Sequence, residues 1–284
     1  MTMLDRRLHA YRPDLAEAGL EGKVEAMRFV SGTPARVCVP VIALRAQPVL
    51  ARGIDTELLF GEEVTVFDRA DGWCWVKAAS DGYVGYLPEQ AIAEATPAPT
   101  HIVVPQRTFL YPEPELRKPY KAVLSMGSRV HITGEVEARG NHYLVLGDGT
   151  AIFAKHLQPL GALDGHDYVD IASHFLETPY LWGGRSGLGI DCSGLIQLAL
   201  LMTGRNAPRD TDMQAEGLGE PIDRSDLRRG DLVFWKGHVA VFEDPKTIIH
   251  ANGHTMTVAR ENFEAAVERI GWLYEQPTGY RRPF

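Results

Sequence analysis

The sequence predicts an α+β chain in which small all-β modules come first and a mixed domain of helices and strands comes last. Three observations predict it. The chain has 284 residues, and at roughly 150 residues per domain that is too long for one uniform core. Between residues 30 and 160 the apolar residues come in short runs cut by turns containing Gly, Asp or Pro, the pattern of short strands. Beyond residue 164, longer apolar stretches at helical spacing alternate with strand-like runs.

Composition narrows the function classes. With 45% hydrophobic and 23% charged residues the chain has ample apolar surface for packed cores, which excludes global disorder. The 29 basic residues against 37 acidic ones leave a net charge of −8, the wrong footprint for binding nucleic acid or an anionic membrane. No window approaches the roughly 18 consecutive apolar residues that span a bilayer. Residues 1–25 are amphipathic rather than a basic stub followed by an apolar run. Three cysteines, Cys38, Cys74 and Cys192, cannot all pair within one chain and lack CxxC spacing. A cytoplasmic, reducing setting and small soluble partners are therefore expected.

The elements follow in order. Leu8, Tyr11, Leu15, Leu20, Val24 and Met27 fall at helical spacing interrupted by Pro13, and predict a short helical segment over 1–29 lying on the next domain. Residues 30–95 carry β-rich runs at 36–44, 63–68, 74–78 and 82–87, separated by turn signals such as Asp71-Gly72 and Asp81-Gly82, and predict a small barrel. The stretch Ala95-Thr96-Pro97-Ala98-Pro99-Thr100 reads as a linker. Residues 100–160 repeat the texture weakly, with runs at 129–135, 143–146 and 150–153, and predict a second barrel. Over 164–284 the pattern predicts helices at 167–176 and 192–203 and antiparallel strands at 232–235, 239–243 and 247–251.

The chemistry sits in that last segment. Asp191-Cys192-Ser193-Gly194 places a cysteine where a glycine-rich loop gives way to an apolar helix. Unpaired N–H groups and the macrodipole at a helix N-terminus favour a thiolate, so the Cys192 pKa is expected to fall. Cys38 and Cys74, inside strands, read as structural. His238 opens a strand, where it can act as the general base. In a hairpin centred on residue 244, His250 lies opposite it and can hold its imidazole in one tautomer. The other histidines have no such register and read as surface or structural. No metal spacing is present, so neither a metal nor a cofactor is expected.

Two resemblances sharpen the reading. Asp71-Gly72-Trp73-Cys74-Trp75-Val76 followed by Gly82-Tyr83-Val84-Gly85-Tyr86-Leu87-Pro88 resembles bacterial SH3-like domains, and residues 100–160 resemble them more weakly. Thr178-Pro179-Tyr180-Leu181-Trp182-Gly183-Gly184, Asp191-Cys192-Ser193-Gly194-Leu195, Pro208-Arg209-Asp210-Thr211-Asp212-Met213-Gln214, Arg229-Gly230-Asp231-Leu232-Val233-Phe234, His238-Val239-Ala240-Val241-Phe242 and Ile249-His250-Ala251 are similar to the NlpC/p60 family of cysteine peptidases. That resemblance implies a papain-like α+β fold that cleaves peptidoglycan stem peptides. Ala240 stands where the family often has glycine.

With SH3-like domains ahead of it, the chain resembles the γ-D-glutamyl-L-diamino acid endopeptidases, or dipeptidyl-peptidase VI type. The resemblance implies that murein stem peptides with a free N-terminal L-Ala lose L-Ala-γ-D-Glu, with Cys192 as nucleophile, His238 as base and His250 as its orienter. It further implies that Tyr83 and Asp210 bind the substrate amine, with Thr211 beside them. Trp182 could pack over the substrate and Tyr180 could offer its hydroxyl near the developing oxyanion. Asp191 and Ser193 could fix the scissile isopeptide or merely cap the helix. Two other readings stay open: a non-catalytic wall-peptide-binding protein, and an acyltransferase or amidase of the same thiol class, since only the acyl acceptor differs.

Overall fold

The computed structural model describes residues 4–163, 166–273 and 275–284. Asp164, where the sequence places the start of the last domain, lies outside the described residues, as do residues 1–3. The chain divides into two compact units, Met1–Leu160 and Gly161–Phe284.

In the first unit a five-stranded antiparallel sheet runs in the order Val84–Pro88, Trp73–Ala78, Glu63–Ala70, Thr33–Val37, Ile92–Glu94, with Val41–Leu44 paired to Thr56–Leu59 beside it. Strand alternation explains its core. Cys74, Val76 and Ala78 point one way and bury with Val37, Leu44, Leu58, Val64, Val66, Tyr83 and Leu87. Trp75 points the other way, where Ala10 and Leu15 of the N-terminal segment cover it together with Val84.

That segment is not helical as its spacing suggested. Over residues 4–30 it holds a 3-10 turn, Ala18–Leu20, and two short strands, Ala16–Glu17 and Phe29–Val30, and no α-helix. Pro13, Gly19 and Gly22 oppose a helix within 10 residues of chain. Its apolar side chains instead pack on the exposed face of the sheet, and Arg12 lays its guanidinium 4.5 Å from the Trp75 ring centroid while pairing with Asp14 and Asp68.

Residues 101–159 form a second β-rich region, with Ile132–Ala138, Asn141–Leu146 and Ala151–Phe153 as a three-stranded sheet and two smaller sheets. Its core, Val103, Leu110, Leu124, Val130, Ile152 and Leu157, also takes in Phe60 from the first region. At this contact the Arg129 N–H donates to Phe60 O at 2.7 Å.

The second unit carries the site. Its elements are α1 (Tyr168–Ser173), α2 (Cys192–Leu201), α3 (Thr211–Gly217), β1 (Glu220–Pro221), β2 (Leu232–Trp235), β3 (His238–Asp244), β4 (Thr247–Asn252), β5 (Thr257–Asn262), α4 (Phe263–Leu273) and β6 (Gly279–Arg282). These six strands make one sheet in the order β1-β6-β2-β3-β4-β5, antiparallel at each junction, and Arg185–Ser186 pairs with Gly189–Ile190 in a separate hairpin. All ten residues of α2 are buried, as a helix apolar on every side requires. α4 covers one sheet face, burying Phe263, Ala266, Val267 and Ile270 against Val233, Trp235, Ala240, Phe242 and Ile248. Arg282 of β6 grips the buried Asp231 at the mouth of β2 with two 2.8 Å bonds.

Candidate active site

A buried ion pair fixes the N-terminus of α2. Asp191 is the N-cap, and its Oδ1 accepts from the Gly194 N–H at 2.7 Å. Its Oδ2 accepts from the Gly183 N–H at 2.9 Å, which draws the preceding glycine loop onto the helix. Arg209 approaches the same carboxylate with both terminal nitrogens, at 3.0 Å to Oδ1 and 2.7 Å to Oδ2, and also donates to Ser193 Oγ and Gly184 O. A guanidinium 1% exposed survives because each bond replaces lost hydration. The packing leaves no room for a side chain at residue 194, where a Cβ would sit 2.5 Å from Gly184 O.

This brace presents Cys192 at the first position of α2. Its Sγ lies 3.8 Å from Thr211 Oγ1 and 4.0 Å from Gly237 O. Gly237 has a φ of 74°, which glycine adopts freely, and it closes the tight β2–β3 turn in which Trp235 faces His238. The thiol therefore rests against the chain that flanks His238.

Burial, reinforced by the Asp191 charge, pushes the Cys192 thiol up to about 11 despite bonds from Val239 and Thr211. This reverses the expected fall: loss of water outweighs the helix terminus in the resting protein. Burial first, then the His250 ring and Arg269, lowers His238 well below an ordinary histidine. Both shifts favour the uncharged forms, a thiol at Cys192 and an imidazole at His238, in the resting protein.

The two histidines meet, though not in the expected register. Val241 faces Ile249 and Phe242 faces Ile248, with a bulge before Asp244 faces Thr247. Continued along the ladder, this places His250 across from Ala240 rather than His238. The correction follows from the turn, which lies at Pro245-Lys246 instead of at 244. Residues two apart on facing strands still share a face and lie within reach of ring side chains, and His238 Nε2 sits 2.9 Å from His250 Nδ1. Nδ1 of His238 is thereby left as the nitrogen for the thiol.

A second diagonal step follows. His250 Nε2 lies 3.1 Å from Glu261 Oε2 on β5, where His250 itself faces Ala259. Arg269 of α4 holds both oxygens of Glu261, at 2.9 and 2.6 Å. Burial alone would raise the Glu261 carboxyl, but bonds from His250 and Arg269 bring it to about 2.

The remaining expected residues are distributed around this frame. Thr211 is buried against the thiol, and Asp210 is half-buried next to it as the residue preceding α3. Tyr180 is half-buried and bridges Ile190, two residues before the nucleophile. Trp182 is 70% exposed. Ser193 Oγ bonds Asp191 and Arg209, and both oxygens of Asp191 are engaged, so of the roles left open for these two the geometry displays capping and bracing. Tyr83 belongs to the first unit, buried in its β-sheet core. Sequence reading gave no role to Arg209, Glu261 or Arg269, nor to Gln214, whose amide donates to Ser193 O and Pro208 O at 3.0 and 2.8 Å. Among the described residues no cluster of three or more His, Cys, Asp or Glu side chains is arranged to hold a metal ion.

Comparison with known proteins agrees on both regions. Residues 44–92 match the family model of the bacterial dipeptidyl-peptidase SH3 domain, and residues 177–269 match that of the NlpC/P60 family. A γ-D-glutamyl-L-lysine dipeptidyl-peptidase of Bacillus cereus is 31% identical, the match covering 71% of this chain and 68% of that protein. Dipeptidyl-peptidase 6 of Lysinibacillus sphaericus is 29% identical over 81% of this chain and 96% of its own length. The crystal structure of an NlpC/P60 family protein from Bacillus cereus superposes with a TM-score of 0.75 at 22% identity, covering 88% of this chain and 99% of that one.

Proposed function

Since the chain belongs to the NlpC/P60 family of peptidases and carries an SH3-like domain, we propose that it is a cysteine peptidase. On this reading it cleaves the bond between γ-D-Glu and the L-diamino acid in murein stem peptides and releases L-Ala-γ-D-Glu. One observation carries the proposal: Cys192 heads the buried helix α2 with its sulfur against the residues flanking His238, and His238 is held through Nε2 by His250. The name of one relative, a γ-D-glutamyl-L-lysine dipeptidyl-peptidase, supports this choice of bond. In the same reading the second unit is papain-like and residues 100–160 are a second SH3-like barrel.

The mechanism follows from the neutral resting pair. As Sγ attacks the γ-carbonyl of D-Glu, the thiol proton passes to Nδ1 of His238, and the tetrahedral oxyanion is stabilised by donors at the head of α2, with Tyr180 adding its hydroxyl. Collapse breaks the C–N bond, and His238 gives its proton to the departing amine. Water then attacks the thioester with His238 again as base, releasing the γ-carboxylate and restoring the thiol.

Asp210, one residue from the Thr211 hydroxyl that touches the thiol, supplies the carboxylate for the α-ammonium of L-Ala. The exposed Trp182 adds the apolar contact to the substrate. Free stem peptides are then the substrates rather than intact wall, in which the L-Ala nitrogen is an amide.

The test is a mass-spectrometric product assay on L-Ala-γ-D-Glu-diaminopimelate, its lysine counterpart and their N-acetylated forms. The expected product is L-Ala-γ-D-Glu. The acetylated peptides should fall by roughly 30- to 5000-fold in kcat/KM, because losing an ammonium–carboxylate contact in a partly desolvated pocket costs about 2–5 kcal/mol. Equal cutting of free and acetylated peptide would overturn the amine reading, and a product other than this dipeptide would overturn the bond.

A further inference from the structure

We propose that Glu261, braced by Arg269, is a positioning residue that sets the tautomers of both histidines and so leaves Nδ1 of His238 unprotonated toward the thiol. The inference rests on the thiol–imidazole reading above and adds to it a residue outside the cysteine and the two histidines.

The argument is an inventory of ring hydrogens. The His250 side chain is 0% exposed, so water reaches neither nitrogen. Its Nε2 lies 3.1 Å from Glu261 Oε2, an ionic contact whose angle falls short of a hydrogen bond, and its Nδ1 lies 2.9 Å from His238 Nε2. A carboxylate favours a hydrogen on the nitrogen that faces it, so the tautomer of His250 with its hydrogen on Nε2 and a lone pair on Nδ1 is the one that Glu261 selects. His238 Nε2 must then be the donor in the contact between the rings. A neutral imidazole carries one N–H, so Nδ1 of His238 is bare and can take the thiol proton. Reversing the chain shows what the carboxylate prevents. With its hydrogen on Nδ1, His250 would donate to His238 Nε2, the His238 hydrogen would move to Nδ1, and no base would face the sulfur.

Arg269 makes the arrangement one-way. By occupying both carboxylate oxygens it keeps Glu261 ionised, and an ionised carboxylate cannot offer a hydrogen back to His250. The charged and titratable groups that act on His238 are then His250 from β4, Glu261 from β5 and Arg269 from α4. When His238 becomes an imidazolium during attack, its Nε2 hydrogen still donates to His250 and the His250 hydrogen still faces Glu261, so no proton beyond the thiol's own has to move.

The test is nitrogen-15 NMR of the full chain labelled at histidine, read at neutral pH without substrate, paired with kinetics of two variants. The proposal expects His238 and His250 both as single tautomers protonated on Nε2. Glu261→Leu, which removes the acceptor, should mix both tautomers and lower kcat by roughly 10- to 100-fold, the usual cost of losing an orienting partner, with KM within about twofold. Glu261→Gln should recover most of the loss, because an amide oxygen accepts the same hydrogen. A His250 protonated on Nδ1 in the unaltered protein would overturn the proposal even if Glu261→Leu does not fold. So would a folded Glu261→Leu with unaltered tautomers and kcat. The spectrum needs no turnover, so correct tautomers in a protein that does not cut stem peptides would count against the proposed substrate and not against this inference.

Discussion

The two sides of the site are braced by the same chemical device set at different depths. On the helix side Arg209 pairs with Asp191, and the side chains are 1% and 12% exposed. On the sheet side Arg269 pairs with Glu261, each 22% exposed. Both are two-pronged, with contacts of 2.6–3.0 Å, so geometry does not separate them. Depth does. A fully buried pair is worth little against an apolar replacement, yet breaking it strands a charge with no water to turn to. A pair that water can reach loses less when broken and is free to act on its neighbours' protons. The comparison assigns Asp191–Arg209 to holding the loop and helix that present Cys192, and Glu261–Arg269 to the histidines.

Unequal depth should give unequal losses. Arg209→Met leaves Asp191 buried and unpaired, and should lower the free energy of unfolding by about 3–5 kcal/mol in urea titrations. A loss under about 1 kcal/mol would show that the pair is no deeper in effect than the other. Arg269→Met should cost about 1 kcal/mol at pH 7.

The acid side gives the finest contrast. Glu261 is held at about 2 against an ordinary 4.5, a depressed value, so its contribution is present above pH 4.5 and is lost as the pH falls toward 2. Arg269→Met lets the carboxyl rise, and its stability should change less steeply than that of the unaltered protein between pH 5 and 3. Parallel curves would mean that Arg269 does not hold Glu261 down.

What sequence alone delivered follows the same division between local and long-range physics. Cys192, His238 and His250 could be singled out as candidates because their setting, a glycine loop before an apolar helix and two short strands, is local. The strand 232–235 matched the structure residue for residue. The hairpin register slipped by two because the turn falls at Pro245-Lys246 rather than at residue 244. The N-terminal segment misled for a different reason, since its apolar spacing serves docking on Trp75 rather than a helix face. Glu261 and Arg269 stayed hidden because Arg260-Glu261-Asn262 looks like a solvated edge. Only the pairing of His250 with Ala259 reveals that Glu261 lies on the histidine side. The Cys192 acidity was misjudged because helix termini can be read from sequence and burial cannot.

The central claim is that the sulfur of Cys192 does the cutting, and it is tested by comparing the unaltered protein with Cys192→Ala on L-Ala-γ-D-Glu-diaminopimelate at equal, verified folding. The account predicts that the variant keeps its urea midpoint and loses turnover by roughly 10³-fold or more, as removal of a nucleophile does. Release of the dipeptide by Cys192→Ala at the unaltered rate would contradict it.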